Sequence, residues 1–199
     1  MIEQSLTHTI KSLDKIFDSV NIKYYNNRLE KPILSVSVSK RRTSLGWCSA
    51  NKIWRGERDY FEINISPNCL SKGAKEVFQI MMHECVHLHC VQNNIKDTSR
   101  AGAYHNAMFK KQAESRGLEC DKTANGWSET VLSPESENWA IGEIKKLELH
   151  LLYRQTPAGR KNASHSIKYI CPSCNCIIRA TKTINAICAD CDDCFIISY

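Results

Sequence analysis

The stretch Val77–Gln92, VFQIMMHECVHLHCVQ, constrains this chain more than any other. Apolar residues recur through it at helical spacing, so it reads as a mostly buried helix. Such a helix has little room for polar side chains, yet its centre is His83-Glu84-Cys85-Val86-His87. Positions i and i+4 share a helix face, so His83 and His87 can each point one ring nitrogen at a single ion. Glu84 lies about 100° further round, within reach of a water at that ion without ligating it. Burying these three groups without partners would be costly, and a metal supplies the partner. The H-E-x-x-H spacing therefore predicts a zinc site with Glu84 as general base.

A catalytic zinc takes three protein ligands and keeps one position open. His105 is the expected third ligand. It follows a polar loop, Asn93–Gly102, long enough to fold back onto the first helix, and it opens a second helical pattern through Ala107, Met108, Ala113 and Leu118. His89 lies on another helix face, and His8, His150 and His165 lie in distant segments. Glu114 and Glu119 remain the carboxylate alternatives.

Around this centre the chain reads as α+β. Leu6, Ile10, Leu13, Phe17 and Val20 make one apolar stripe on a first helix, which Tyr24-Tyr25-Asn26-Asn27 ends. Pro32 precedes a strand-like Ile33–Ser39, and Gly46-Trp47-Cys48 reads as a turn into a second strand. Phe61, Ile63 and Ile65 alternate with Tyr60, Glu62 and Asn64, the pattern of a half-buried strand. Tyr60–Ser66 is either an interior strand or an edge that pairs with an extended peptide. Ser71 is the expected cap of the central helix and Asn93-Asn94 its stop. Residues 134–153 read as partly helical, with Trp139, Ile144, Leu147 and Leu151 packing.

The tail carries its own signal. Cys171-Pro-Ser-Cys174 and Cys188-Ala-Asp-Cys191 are two C-x-x-C pairs at the spacing of a tetrahedral four-cysteine structural zinc site, a zinc ribbon. Ile177, Ile178, Thr181, Thr183 and Ile184 between them suit a hairpin. Cys176 and Cys194 compete as ligands. The residue after the second Cys of such a knuckle often needs positive φ, which Asn175 and Asp192 tolerate and Phe195 does not, so Cys171, Cys174, Cys188 and Cys191 are taken. The expected organisation is a domain over 1–154, a polar linker over 155–166 and the ribbon over 167–199, with one catalytic and one structural zinc.

Eleven cysteines in 199 residues could mean a disulfide scaffold, but six crowd into 171–194, which fits metal ligation in a reducing compartment. No run approaches a membrane span, and the amphipathic, acid-bearing N-terminus resembles neither a signal nor a transit peptide, so a cytoplasmic protein is expected. The net charge of +6 is a weak pointer to a polyanion and is equally explained by solubility.

HECVHLHCVQNN followed by GAYHNAMF resembles the SprT-like metallopeptidase family, which includes the Spartan proteases. YYNNRLEKPILSVSVS, TSLGWC and FEINIS upstream agree in order, and a C-terminal zinc ribbon is common in that family. The resemblance implies a zincin-like fold, a small sheet packed on helices with the H-E-x-x-H helix at the active site. It also implies a zinc-dependent endopeptidase in which His83, His87 and His105 hold zinc and Glu84 moves the proton. Tyr104 is either an oxyanion donor or simple packing. By analogy the substrates are proteins held at or crosslinked to DNA, with the ribbon, Lys40–Arg42 and Lys52, Arg55 and Arg58 as DNA contacts. The alternatives are a non-proteolytic nucleic-acid-binding protein with two structural zincs and a hydrolase of another bond.

Overall fold

The computed structural model describes residues 5–38, 44–153 and 166–198. Lys40–Arg42, His165 and the expected linker, apart from Ser166, lie outside them. The chain divides into two compact units, Met1–Gln155 and Thr156–Tyr199.

The first unit opens with helix α1, Leu6–Tyr25, capped by the Ser5 hydroxyl and ended by Asn26 in the left-handed region at φ 52°. Leu13, Ile16, Phe17 and Val20 on its stripe are fully buried, whereas Leu6 is half exposed. Three strands follow, β1 (Ile33–Ser35), β2 (Gly46–Cys48) and β3 (Glu62–Ile65), in the order β1-β3-β2. β1 is shorter than its apolar run, and Gly46-Trp47-Cys48 is itself the strand rather than a turn leading to one.

β3 is central, parallel to β1 and antiparallel to β2, so among the described residues it is interior and β2 is an edge. All four of its residues are buried, not half of them. Ile63 and Ile65 join the apolar core. Glu62 and Asn64, on the other face, are satisfied locally. Glu62 accepts from the Ser35 hydroxyl and the Trp54 indole, and the Asn64 carboxamide meets Ser35 and Ser37. Buried polar groups with such partners cost little, which is why alternation did not mean exposure here.

Ser66 caps a single-turn helix α2, Pro67–Leu70, and Ser71 ends α2 rather than starting the next helix. The central helix α3, Ala74–Gln92, begins instead at Gly73, without a side-chain cap, at φ 97°. Asn93 closes it, followed by Asn94 at φ 54°. Its start is held by packing: Val77, Phe78, Met81 and Met82 are buried.

Past α3 the chain forms β4 (Thr98–Ser99), β5 (Tyr104–His105), helix α4 (Ala107–Glu114) and a hairpin of β6 (Leu118–Thr123) and β7 (Gly126–Leu132). These strands order as β4-β5-β7-β6. Leu118, placed by periodicity on the second helix, starts β6, and α4 buries Phe109 and Ala113 while Met108 stays exposed. Helix α5, Pro134–Lys146, starts from a Ser133 cap with proline in its first turn. It presents Trp139 edge-on to Phe78 and Tyr24.

The second unit is a three-stranded antiparallel sheet of β8 (Ile167–Ile170), β9 (Ile177–Ala180) and β10 (Ile196–Ser198), ordered β10-β8-β9. The β8–β9 hairpin wraps the first cysteine pair, so only one of its strands lies between the two pairs. Among the described residues no helix is long and apolar enough to cross a membrane.

Candidate metal centre and active site

His83 and His87 leave α3 one turn apart, and β5 brings His105 to meet them. The three Nε2 atoms are 3.3 Å (His83–His105), 3.3 Å (His83–His87) and 3.0 Å (His87–His105) apart. Ligands about 2.0–2.1 Å from a tetrahedral zinc stand roughly 3.3 Å from each other. The donor set therefore fits zinc. Glu114 and Glu119 are not part of the cluster; both are exposed, and Glu114 faces Lys110 at 3.5 Å.

His105 reaches this position through a close backbone approach. Its N–H donates to the Asn125 carbonyl at 2.9 Å, and it pairs with Gly126 on β7. Gly126 has φ +79°, and a Cβ there would sit 2.0 Å from the His105 carbonyl oxygen. Only glycine fits such a contact. Asn106 then ties the loop down. Its N–H donates to the Asp97 carbonyl, its carboxamide N–H to the Lys96 carbonyl, and its carboxamide oxygen caps α4.

The supporting layer was not visible in the sequence. His87 Nδ1 lies 2.5 Å from the Asp97 carboxylate, and His83 Nδ1 3.0 Å from the Thr130 hydroxyl. With its proton on Nδ1, each ring turns an Nε2 lone pair toward the centre, and a carboxylate partner raises the ligand's basicity. Fully buried Phe109 packs against all three rings, with centroids at 4.8, 4.8 and 4.5 Å from those of His83, His87 and His105. Asp97 lay inside a stretch read as a polar loop and Thr130 in a segment assigned no element. The one available clue was the Leu118, Cys120 alternation with Glu119 and Asp121 that marks β6.

Burial disfavours the charged forms of His83, His105 and Glu84. It pulls the His83 imidazolium well below the usual range, helped by His87 and His105, and lowers His105 to about 4. Neutral imidazole is the ligating form. Burial also raises Glu84 to about 7, against the opposing pull of His87. A carboxyl poised near neutrality suits a group that both accepts and returns a proton.

The β2 edge passes beside Glu84. Ser49 N–H donates to the Glu62 carbonyl and Ser66 N–H to the Leu45 carbonyl, both at 2.9 Å. Residues 45, 47 and 49 thus face β3, and the main-chain groups of Gly46 and Cys48 face away from it, the Gly46 carbonyl accepting from the Ser44 hydroxyl at 2.5 Å. A Cβ on Gly46 would lie 3.0 Å from Glu84 Oε1, so the missing side chain keeps the carboxylate clear. Tyr104 precedes His105 on β5 with the Arg100 guanidinium 5.0 Å over its ring. Among the cationic candidates, Lys52 pairs with Glu30 and Arg55 with Asp59, both at 2.7 Å, and Arg58 stacks on Tyr60.

In the second unit Cys171, Cys174, Cys188 and Cys191 bring their sulfurs within 4.8 Å of one another. Cys174 and Cys188 Sγ are 3.7 Å apart, against about 3.8 Å for the edge of a tetrahedron with 2.3 Å zinc–sulfur bonds. Asn175 and Asp192 have φ 59° and 56°, the left-handed conformation expected after each second cysteine. Their N–H groups donate back to the Cys171 and Cys188 carbonyls at 2.9 and 2.8 Å. Cys176 and Cys194 are exposed and outside the cluster. The Cys174 backbone N–H draws the Cys171 thiol down, while the neighbouring sulfurs push Cys191 up, so the four sulfurs do not all ionise together without a cation among them.

A histidine pair on a buried helix, a third histidine from a later strand and a glutamate beside β2, an edge strand among the described residues, define a metallopeptidase-like centre. The model of the SprT-like family matches residues 13–125, more than half of the chain, and the chain belongs to that family. No curated protein and no solved structure matches it.

Proposed function

We propose that this protein is a zinc-dependent endopeptidase in which His83, His87 and His105 hold the catalytic zinc. The convergence of the three Nε2 atoms beside Glu84 and a strand, β2, that is an edge among the described residues carries this reading. The zinc would supply Lewis-acid polarisation of the scissile carbonyl and acidify water. An extended substrate hydrogen-bonds through its main chain to the Gly46 N–H and to the Cys48 main chain, so recognition at the edge is independent of side chain. Glu84 accepts the proton of the attacking water and delivers it to the leaving amine nitrogen. Asp97 and Thr130 fix the orientation of two ligand rings throughout.

The four-cysteine cluster is assigned a structural zinc within a C-terminal zinc ribbon, giving two zinc ions per chain. The proposed substrates are proteins bound or crosslinked to DNA, in the cytoplasm. Family membership supports this, and so does the cross-strand pair Lys168 and Arg179 on the ribbon sheet. Pairing of Lys52 and Arg55 with carboxylates moves the expected DNA contact away from that loop.

Cleavage of a DNA-bound protein should vanish on chelation, return with zinc, and be absent in Glu84→Gln. A Glu84→Gln variant that cleaves like the parent refutes the mechanism. Two zincs with no cleavage under any condition supports the non-proteolytic binding protein instead.

A further inference from the structure

β7 carries two parts of the metal centre. At its start Gly126 pairs with His105, whose N–H donates to the adjoining Asn125 carbonyl at 2.9 Å. That approach is too close for any Cβ, so a shift of β7 is passed on to His105. Further along the strand, the Thr130 hydroxyl stands 3.0 Å from His83 Nδ1. One strand thus places two of the three ligand rings, and the ligand triangle depends on where β7 sits along α3.

Gln79 fixes that placement. Its carboxamide Nε2 donates to the Thr130 carbonyl at 2.7 Å. Gln79 lies one helical turn before His83, so both side chains leave the same face of α3. α3 therefore grips Thr130 twice, Gln79 at the main chain and His83 at the hydroxyl. Among the described residues these are the two hydrogen bonds between α3 and β7. Apolar packing is non-directional, so the bond to the main chain is what sets the strand along the helix. Thr130 is buried, and a β-branched side chain is stiff at χ1. A displacement of its backbone is therefore carried to Oγ1 rather than absorbed by a rotation.

We propose that Gln79 is a positioning residue of the metal centre. Through the Thr130 main chain it sets where the Thr130 hydroxyl meets His83, and so the direction of the His83 Nε2 lone pair. Gln79 itself is no member of the histidine cluster. The inference rests on the zinc reading of that cluster and is independent of peptide cleavage.

The test compares the full-length wild type with Gln79→Met, which keeps the length and helix preference of the side chain and removes the donor. Zinc stays in the cysteine cluster, and cobalt(II) is loaded at the histidines, where its visible ligand-field bands report ligand orientation. Metal affinity at the histidines is expected to fall about three- to tenfold, less than for a residue bonded directly to a ligand ring. The cobalt bands shift, and zinc at the cysteines stays at the wild-type value. In a Thr130→Val background the Gln79→Met effect shrinks, because the hydroxyl it acts through is gone. Unchanged affinity and spectrum in Gln79→Met overturn the proposal. So does an equal loss in both backgrounds, which marks a general destabilisation. A wild type that takes no metal at its histidines overturns the zinc reading itself and this inference with it. Should Gln79→Met fail to fold, Gln79→Leu takes its place in the same comparison.

Discussion

Replacing Gly46 by alanine tests the relation between the sheet edge and the general base. The added Cβ would lie 2.7 Å from Ile80 Cγ2, 3.0 Å from the Asn64 carbonyl oxygen and 3.0 Å from Glu84 Oε1. Ile80 is only partly buried and can turn away. The Asn64 carbonyl is backbone of the central strand β3 and cannot. β2 must therefore lift, or the Glu84 carboxylate must swing aside. Overpacking of this kind costs about 1–3 kcal/mol, and each kcal/mol lowers the melting temperature by about 2–4 °C in a unit of this size. The three histidines are not touched by the new methyl, so zinc content stays at the wild-type value. Cleavage falls more than stability does, by about tenfold or more, because small displacements of a reacting group are expensive in rate. Thermal denaturation, zinc stoichiometry and peptide cleavage on the same preparation measure all three. Wild-type melting and wild-type cleavage in Gly46→Ala would refute the close approach of β2 to Glu84.

Asp97→Ala should weaken zinc binding about 10- to 100-fold, and Thr130→Val by less, since a neutral hydroxyl polarises its histidine less than a carboxylate; competition with a chelator measures both, and equal losses would contradict the ordering. Phe109→Ala should cost about 3–5 kcal/mol and loosen all three ligands, read as unfolding at lower urea concentration together with faster zinc loss. Cys191→Ser should remove one zinc per chain while Cys176→Ser and Cys194→Ser leave the count unchanged by metal analysis. In metal-free protein, Glu84 is raised from 4.5 to about 7, so the folded form holds an extra proton between those values. Its stabilisation is complete below about pH 4.5 and is lost as pH rises through about 7. Urea unfolding of metal-free Glu84→Gln should therefore gain on the wild type between pH 5 and pH 8, by at most about 3 kcal/mol; a difference independent of pH would show that Glu84 is not buried as described.

Much of the centre was legible because its signals are local. His83, Glu84 and His87 are placed by helix geometry alone, and the stripe of α1 by the same period. The cysteine pairs likewise build a knuckle within a few residues, and positive φ at Asn175 and Asp192 follows from which residues tolerate it. His105 could be named by its position in the chain, since a loop after α3 had to return a ligand. What failed were inferences that read burial from pattern. Glu62 and Asn64 looked solvent-facing and are buried, and Ser71 looked like a cap for α3 and ends α2.

The sequence by itself determined which side chains carry chemistry and which helix presents them, because a spacing of four residues or a C-x-x-C turn is decided within one turn of backbone. Only the tertiary structure decided that, among the described residues, β3 is interior and β2 an edge, and that Asp97, Thr130 and Phe109 surround the ligands. It alone showed that Gly46 and Gly126 must stay small and that Arg116 meets Tyr25. Each of these depends on which distant segment the chain returns to. That choice is made by the fit of the whole core, and no short window of residues records it.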